Sequence, residues 1–146
     1  MNNKMILLVE DNPDDVTLTK RAPKKANILN YLVIVDDGVE ALEFLFGEGD
    51  NTEPDVTIMP EVILLDLKMP RMNGLETLES IRADDRTKFL PVVILTTSKE
   101  GQDIISSYDL GANSYIVKPV EFVQFFEAVK QLGLYWLVLN QAPLSR

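Results

Sequence analysis

Five short runs of apolar residues recur along the chain, and each is bounded by polar or turn-forming residues. Runs of this length without alternating polar positions are typical of strands buried on both faces of a parallel sheet. The predicted strands cover residues 4–9, 31–35, 61–65, 92–95 and 115–117. A segment with helix signals follows each strand, so the pattern predicts a single three-layer α/β domain.

Helix-capping residues mark the start of the first intervening segment. Asn12 can cap a helix that has Pro13 at its first position and runs to about Lys25. Pro23 lies near the end of this segment and kinks or terminates the helix. After the second strand, the acidic residues 36–37 and a glycine open a short helix.

Apolar residues at helical spacing define the faces of three further helices. They are Val39, Leu42, Leu45 and Phe46 after the second strand, Leu75, Leu78 and Ile81 over 74–83, and Ile104, Ile105, Tyr108 and Leu110 over 101–110. Gly111 suits a left-handed cap after the last of these. Residues 47–60 are rich in turn formers and predict a long loop, and a final helix begins at about Glu121.

Length and charge narrow the classes of function. A chain of 146 residues suits one domain, taken as residues 1–146 without a separate output domain. The formal net charge of −9 disfavours nucleic acid and anionic membrane surfaces, because both attract clustered lysine and arginine. No apolar stretch is long enough for a membrane span or a signal peptide, and cysteine is absent, which suits a cytoplasmic protein.

Histidine is also absent. Its absence excludes a Ser-His-Asp triad, an imidazole general base and an HExxH metal site. The chain cannot carry a phosphohistidine either, so any phosphoryl group would come from another protein or a small molecule.

Carboxylates follow two of the buried strands. Glu10 and Asp11 come after the first strand, and Asp66 comes after the third. Ligands bind at the carboxyl ends of the strands in open α/β sheets, so the three acids would converge if these strands are neighbours. A cation would relieve their repulsion, and Mg²⁺ suits such oxygen ligands. Taken singly, Asp11 and Asp66 are more simply interpreted as helix caps or exposed loop acids, whereas the pair at two strand ends favours a site.

Two other strand ends carry polar groups. Thr96 follows the fourth strand, and Lys118 follows the fifth, where Pro119 suggests a fixed turn that allows a cis bond. The lysine can pair with a carboxylate or a phosphoryl oxygen, and the threonine hydroxyl can donate to such an oxygen. The simpler interpretations are a surface lysine, a threonine with strand propensity and, for Tyr115, a half-buried strand aromatic.

Together these segments resemble the receiver domain of two-component response regulators. The motifs are Leu8-Val9-Glu10-Asp11-Asn12, Leu64-Leu65-Asp66-Leu67-Lys68-Met69-Pro70 with Gly74, Leu95-Thr96-Thr97-Ser98 and Tyr115-Ile116-Val117-Lys118-Pro119. Their order and spacing agree with the family from about residue 4 to 132. The resemblance implies a flavodoxin-like (βα)5 fold, a doubly wound parallel sheet with strand order 2-1-3-4-5.

The resemblance also implies how the acidic residues act. Asp66 would be the phosphoacceptor for a partner histidine kinase, in a signalling protein that is not a dedicated enzyme. Asp11, Asp66 and the backbone carbonyl of Lys68 would ligate Mg²⁺, with Glu10 acting through water.

The remaining motif residues receive roles in contact and switching. Thr96 and Lys118 would contact the phosphoryl group, and Tyr115 would be the switch aromatic. The signal would then pass through the face formed by the fourth helix, the fifth strand and the fifth helix.

A closer resemblance is to stand-alone receivers that partner phytochrome-type histidine kinases. These proteins share the long loop, the Leu-Thr-Thr-Ser segment and an aromatic-Trp-Leu near the end of the last helix, here Tyr135-Trp136-Leu137. The last helix (about 121–140) is apolar all round over 132–139, which favours a homodimer anchored by Tyr135 and Trp136. The alternative is a tail folded back over the domain's own core.

Two other functions suit the same fold. A non-phosphorylated adaptor or binding module would keep only the fold, and the intact acids, Thr96 and Lys118 disfavour it. A flavodoxin would need a phosphate loop rich in hydroxyl groups and glycine after the first strand. Residues 10–15 are acidic instead and would repel a flavin phosphate.

Overall fold

A computed structural model shows one parallel sheet of five strands in the order β2-β1-β3-β4-β5. The strands are β1 Met5–Val9, β2 Tyr31–Val35, β3 Val62–Leu65, β4 Val92–Thr96 and β5 Ser114–Val117. The structure describes residues 5–17, 31–47, 59–119, 121, 123–125 and 127. The predicted fold class and strand order are confirmed, and no strand end differs from the prediction by more than one residue.

Helices connect the strands as the sequence predicts. They are α1 (residues 13–17), α2 Gly38–Phe46, α3 Gly74–Ala83, α4 Gly101–Asp109 and α5 (residues 123–125 and 127). Asn12 caps α1, because its side-chain oxygen accepts from the amides of Asp14 at 2.9 Å and Asp15 at 3.2 Å. The predicted continuation of α1 from residue 18 to about Lys25, most of the long loop and the apolar end of the last helix lie outside the described residues.

The sheet is covered on both faces, as its continuous apolar strands require. Alternate residues of β1 and β3 point to opposite sides, and each side has its own core cluster. One cluster contains Leu7 and Ile63 with the inner faces of α2 and α3, and the other contains Leu8 and Leu64 with Val123 and Phe125 of α5. The central strands are therefore fixed from both sides, which fixes the edge where they end.

Helix α4 packs on the domain differently from its apolar pattern. Ile105 and Tyr108 are 56% and 50% exposed, whereas Ser107 is fully buried. Ile104, Ser107 and Leu110 recur every three residues and share the inward face, where a small serine permits close packing. Gly111 follows with a φ of 102°, which confirms the predicted left-handed position.

Candidate functional site

Three carboxylates meet at the carboxyl edge of the sheet. Strands β1 and β3 are hydrogen-bonded neighbours with Val9 opposite Leu65, so the residues that follow them also lie side by side. One oxygen each from Glu10, Asp11 and Asp66 lies within 4.8 Å of the others. Glu10 and Asp66 are buried, and Asp11 is exposed at the mouth of the cluster. The sequence predicts that the three acids converge if these two strands are neighbours, and the structure confirms both points.

Lys118 lies among these acids. Its Nζ donates to Glu10 Oε1 at 2.6 Å and to Asp15 Oδ2 at 2.8 Å, and it lies 3.6 Å from Asp66 Oδ2. Its side chain is 9% exposed, so it is not the surface lysine of the simpler interpretation. The Lys118-Pro119 peptide bond is cis.

The charges in this cluster shift one another's pKa values. Burial raises the pKa of Glu10, Lys118 lowers it, and the charge of Asp66 raises it, which leaves the pKa above its usual range. Burial alone would lower the pKa of Lys118. The hydrogen bonds to Asp15 and Glu10 and the charge of Asp66 raise it instead, and it lies above the ordinary lysine value. The ammonium is therefore a fixed positive charge beside Asp66.

Asp15 also belongs to this constellation, although in the sequence it is only one of several acids in segment 10–15. Its carboxylate reaches Lys118 because Asn12 starts α1 directly after β1, which places the first helical turn above the end of the sheet. The signal was present in the sequence as an acid three residues after a capping asparagine. The pairing with Lys118 could be predicted only with the knowledge that β5 ends at the same edge of the sheet.

Thr96 ends β4 and is fully buried. Its hydroxyl accepts from the amide of Ser98 at 3.4 Å, and its carbonyl accepts from the amide of Lys118 at 2.8 Å. Tyr115 is half-buried on β5, and its hydroxyl donates to the carbonyl of Ser98 at 3.0 Å. Ser98 Oγ in turn donates to Asp103 of α4 at 2.5 Å. A chain of hydrogen bonds thus joins the end of β4 to both β5 and α4.

The loop after β3 closes the other side of the site. The amide of Lys68 lies 3.5 Å from Asp66 Oδ1, and the Lys68 side chain is exposed. Gly74 begins α3 so close to the strand end that a Cβ there would lie 2.7 Å from Leu67 Cα and would also collide with the carbonyl of Asp66. The loop and α4 border a cavity of about 520 Å³ that Asp11 also lines.

The donor set fits a small divalent cation. Carboxylate oxygens of Asp11, Asp66 and Glu10 lie within 4.8 Å of one another, and Asp11 also lines the cavity. Burial and the neighbouring charge of Asp66 raise the pKa of Glu10. Mg²⁺ takes one or two carboxylates and keeps several waters, which suits the exposed Asp11 beside the buried Asp66.

Two predicted interface residues, Tyr135 and Trp136, lie outside the described residues, so the structure does not test their roles. Among the helices of the described ranges, none combines the length and hydrophobicity that crossing a bilayer requires.

Comparison with known proteins agrees with this geometry. Residues 6–130 match the family model described as the response regulator receiver domain. Response regulator Rcp1 of Synechocystis sp. is 38% identical over 142 residues, which cover 97% of this chain and 95% of that protein.

Two solved structures are similar over almost the whole chain. The phosphorylated cyanobacterial phytochrome response regulator RcpA has a TM-score of 0.79 and 38% identity, covering 98% of this chain and 100% of that one. The bacteriophytochrome response regulator RtBRR has a TM-score of 0.79 and 46% identity, covering 97% of this chain and 85% of that one. The chain belongs to the family of response regulator receiver domains.

Proposed function

We propose that Asp66 is the phosphoacceptor of this receiver domain and takes its phosphoryl group from a phosphohistidine on a partner kinase. The observation that carries the proposal is the position of the Asp66 carboxylate, which ends the central strand β3 with Lys118 Nζ 3.6 Å away. Receiver domains are signalling proteins rather than dedicated enzymes, so we expect Asp66 to be phosphorylated once at each activation.

The chemistry is a displacement at phosphorus. A carboxylate oxygen of Asp66 forms a bond to phosphorus while the bond between phosphorus and the imidazole nitrogen breaks. The electron pair leaves with the imidazole, which takes up a proton, and an aspartyl phosphate remains. The chain needs no imidazole of its own, in agreement with its lack of histidine.

Asp11, Asp66 and the backbone carbonyl of Lys68 would hold Mg²⁺, with Glu10 acting through water. The bound cation would neutralise negative charge on the phosphoryl oxygens and on the three clustered carboxylates. Asp11 is the exposed member of the cluster, so it faces the side from which a cation and a donor arrive.

Lys118 provides the positive charge that the protein itself contributes. Its ammonium forms ion pairs with Glu10 and Asp15 and lies close to Asp66. From this position it can pair with an oxygen of a phosphoryl group on Asp66. Thr96 supplies a hydroxyl at the neighbouring strand end.

Phosphorylation would act on the face formed by α4, β5 and α5. If the Thr96 hydroxyl turns to the phosphoryl group, its contact with the Ser98 amide is lost, and the carbonyl of Ser98 is the acceptor for Tyr115. The two arrangements form a two-state element whose populations the added charge biases. Tyr115 is the switch aromatic in this proposal.

The partner and assembly follow from the relatives and from the sequence. The similar proteins include phytochrome and bacteriophytochrome response regulators, so we infer a histidine kinase of the phytochrome type. A homodimer through Tyr135 and Trp136 and a cytoplasmic location remain predictions from the sequence.

The acceptor is tested by incubating the protein with acetyl phosphate, with and without Mg²⁺, and measuring its intact mass. The wild type should gain one phosphoryl group only with Mg²⁺. Asp66→Asn should gain none, and Asp11→Asn should gain it at least about tenfold more slowly because it loses a cation ligand.

The matched control is Asp85→Asn, which removes an exposed acid that pairs with Lys88 far from this edge of the sheet. It should take up the phosphoryl group at the normal rate. Phosphorylation of Asp66→Asn at the wild-type rate would refute the acceptor assignment.

A further inference from the structure

Arg71 has an unusual backbone for its residue type. It lies in the loop between β3 and α3 with a φ of 63°, and among the described residues no other residue with a Cβ has a positive φ. The left-handed region is unfavourable for such residues, so surrounding contacts must hold the conformation.

The contact that holds it is a paired hydrogen bond to Asp37. Arg71 Nε donates to Asp37 Oδ2 at 2.8 Å, and Nη2 donates to Oδ1 at 3.0 Å. The carboxylate is itself fixed, because it is buried and Oδ1 also accepts from the amide of Glu40 at 3.0 Å as the N-cap of α2. An arginine held at two points by a buried acid has little freedom to rotate.

Close packing ties the same loop to α2 and to the strand end. Gly38, the first residue of α2, is so near the loop that a Cβ there would lie 3.0 Å from the carbonyl oxygen of Met72 and would collide with Thr77. At the other end, the amide of Gly74 donates to the carbonyl of Leu67 at 2.8 Å. Lys68 lies between these two fixed points, next to the acceptor.

We propose that Arg71 and Asp37 are positioning residues that set the affinity of the acidic cluster for a divalent cation by fixing the loop that carries the Lys68 carbonyl. This inference rests on the proposed function, in which that carbonyl is a ligand. Neither residue touches the cation. They act through the backbone of the loop 67–73, of which residues 67–70 and 73 border the cavity that Asp11 lines.

For Arg71, an effect of charge alone on cation affinity would have the opposite sign to an effect of positioning. Removing the positive charge of Arg71 should strengthen cation binding if only long-range electrostatics matter, whereas removing the charge of Asp37 should weaken it. Loss of positioning weakens binding in both cases. Arg71→Ala therefore separates the two mechanisms.

The test uses Mn²⁺ alone as the probe and follows unbound Mn²⁺ by electron paramagnetic resonance, without any phosphoryl donor. Arg71→Ala and Asp37→Asn should each bind Mn²⁺ more weakly, by about tenfold as for other outer-shell changes. The double variant should bind no more weakly than Arg71→Ala, because the two residues act as one pair. Arg71→Gly, which adopts a positive φ freely, should also bind more weakly because it lacks the anchor.

Two controls make the outcomes distinct. Asp84→Asn breaks an arginine–carboxylate pair with the same two-point geometry, to Arg86, at the far end of α3, and should leave Mn²⁺ binding unchanged. Urea unfolding of each variant confirms that the protein measured is folded.

Asp11→Asn separates this inference from the proposed function. If Asp11→Asn loses Mn²⁺ binding and the folded Arg71→Ala and Arg71→Gly variants bind as tightly as the wild type or more tightly, the positioning role is wrong and the proposed site stands. If Asp11→Asn binds as the wild type does, the proposed site and this inference both fail.

Discussion

At the scale of single residues, Lys118 joins stability to function. Its ammonium lies against Glu10 and Asp15 and close to Asp66, in a place where it is almost shielded from water. A buried carboxylate such as Glu10 is strongly destabilising without a partner. The residue that we assign to the phosphoryl group is therefore also the residue that makes the acidic edge compatible with folding.

We predict that Lys118→Met lowers the free energy of unfolding by about 3 kcal/mol when divalent cations are chelated, because Glu10 is then buried without its ammonium partner. The same variant should bind Mn²⁺ more tightly, because a competing positive charge is gone, yet accept a phosphoryl group more slowly. Urea unfolding with a chelator, Mn²⁺ titration and intact mass measure the three effects.

Lys88→Met is the control for this prediction, because Lys88 pairs only with the exposed Asp85 among the ion pairs described. Its unfolding free energy should change by less than about 0.5 kcal/mol. Equal stability of the two variants would contradict a buried role for the Lys118 ammonium.

The lowered pKa of Asp37 determines in which direction this residue makes the free energy of unfolding depend on pH. Burial raises the pKa of its carboxyl, but the hydrogen bond from Arg71, the amide of Glu40 and the charge of Arg71 outweigh burial and hold the pKa below its ordinary value of 3.8. A carboxyl with a lowered pKa in the folded state stabilises the protein above its ordinary pKa. That contribution is lost as the pH falls through the folded pKa.

We therefore predict that the wild type exceeds Asp37→Asn in free energy of unfolding at pH 6 and that this difference shrinks between pH 4 and lower pH. Urea unfolding of both proteins at pH 6, 4 and 3 measures it. A difference that stays constant over this range would show that the carboxyl keeps its ordinary pKa.

At the scale of secondary-structure elements, the start of α3 and the end of β3 form one rigid unit. Gly74→Ala places a Cβ against the backbone of Asp66 and Leu67, which cannot move without moving the proposed acceptor, Asp66. We expect a loss of about 1–3 kcal/mol in unfolding free energy and a slower phosphoryl uptake. Urea unfolding and intact mass measure both.

Gly101→Ala is the matched control, because a Cβ at the first residue of α4 meets nothing within 4 Å. Its stability should be unchanged or higher by up to about 1 kcal/mol, since alanine reduces the freedom of the unfolded chain. Equal effects at the two glycines would contradict the close approach of α3 to the acceptor strand.

The sequence predicted well the features that depend on local pattern. Continuous apolar runs indicated buried strands, and the capping residue Asn12 indicated the start of a helix, because both signals lie within a few neighbouring residues. The resemblance to receivers supplied the strand order and with it the meeting of Glu10 and Asp66.

Features that depend on distant partners were not predicted. The pairs Asp37–Arg71 and Asp15–Lys118 join surface-type residues that are 34 and 103 positions apart in the sequence and that only the packed elements bring together. The inward face of α4 was also misjudged. Two of its large apolar side chains face outward, and the smaller Ser107 is buried instead.

At the scale of the whole molecule, exposed apolar side chains suggest contact with another chain. Ile105 and Tyr108 stand on the outer face of α4, beside β5 and the proposed switch. Large apolar side chains grouped on a surface are typical of interfaces. The apolar segment 132–139 near the end of the sequence has the same character.

We predict a homodimer in solution that phosphorylation strengthens and in which Trp136 is an anchor. Trp136→Ala should weaken dimerisation by about tenfold or more, because buried tryptophan often carries a large share of interface energy. Phe89→Ala is the control, since it removes an exposed aromatic residue from the loop between α3 and β4. Sedimentation with and without beryllofluoride measures the dimer, and a wild-type monomer under both conditions would contradict it.

The position of Lys118 on the last strand has a consequence for the chain during its synthesis. The acids of β1 and β3 leave the ribosome early, but the cation that balances them arrives only when β5 pairs with β4 at the edge of the sheet. Until then Glu10 lacks the ammonium that offsets its burial, and the proposed acceptor Asp66 lacks its neighbouring lysine. We therefore expect a growing chain to complete its fold and to gain the lysine beside the proposed acceptor in one step, when β5 joins the sheet.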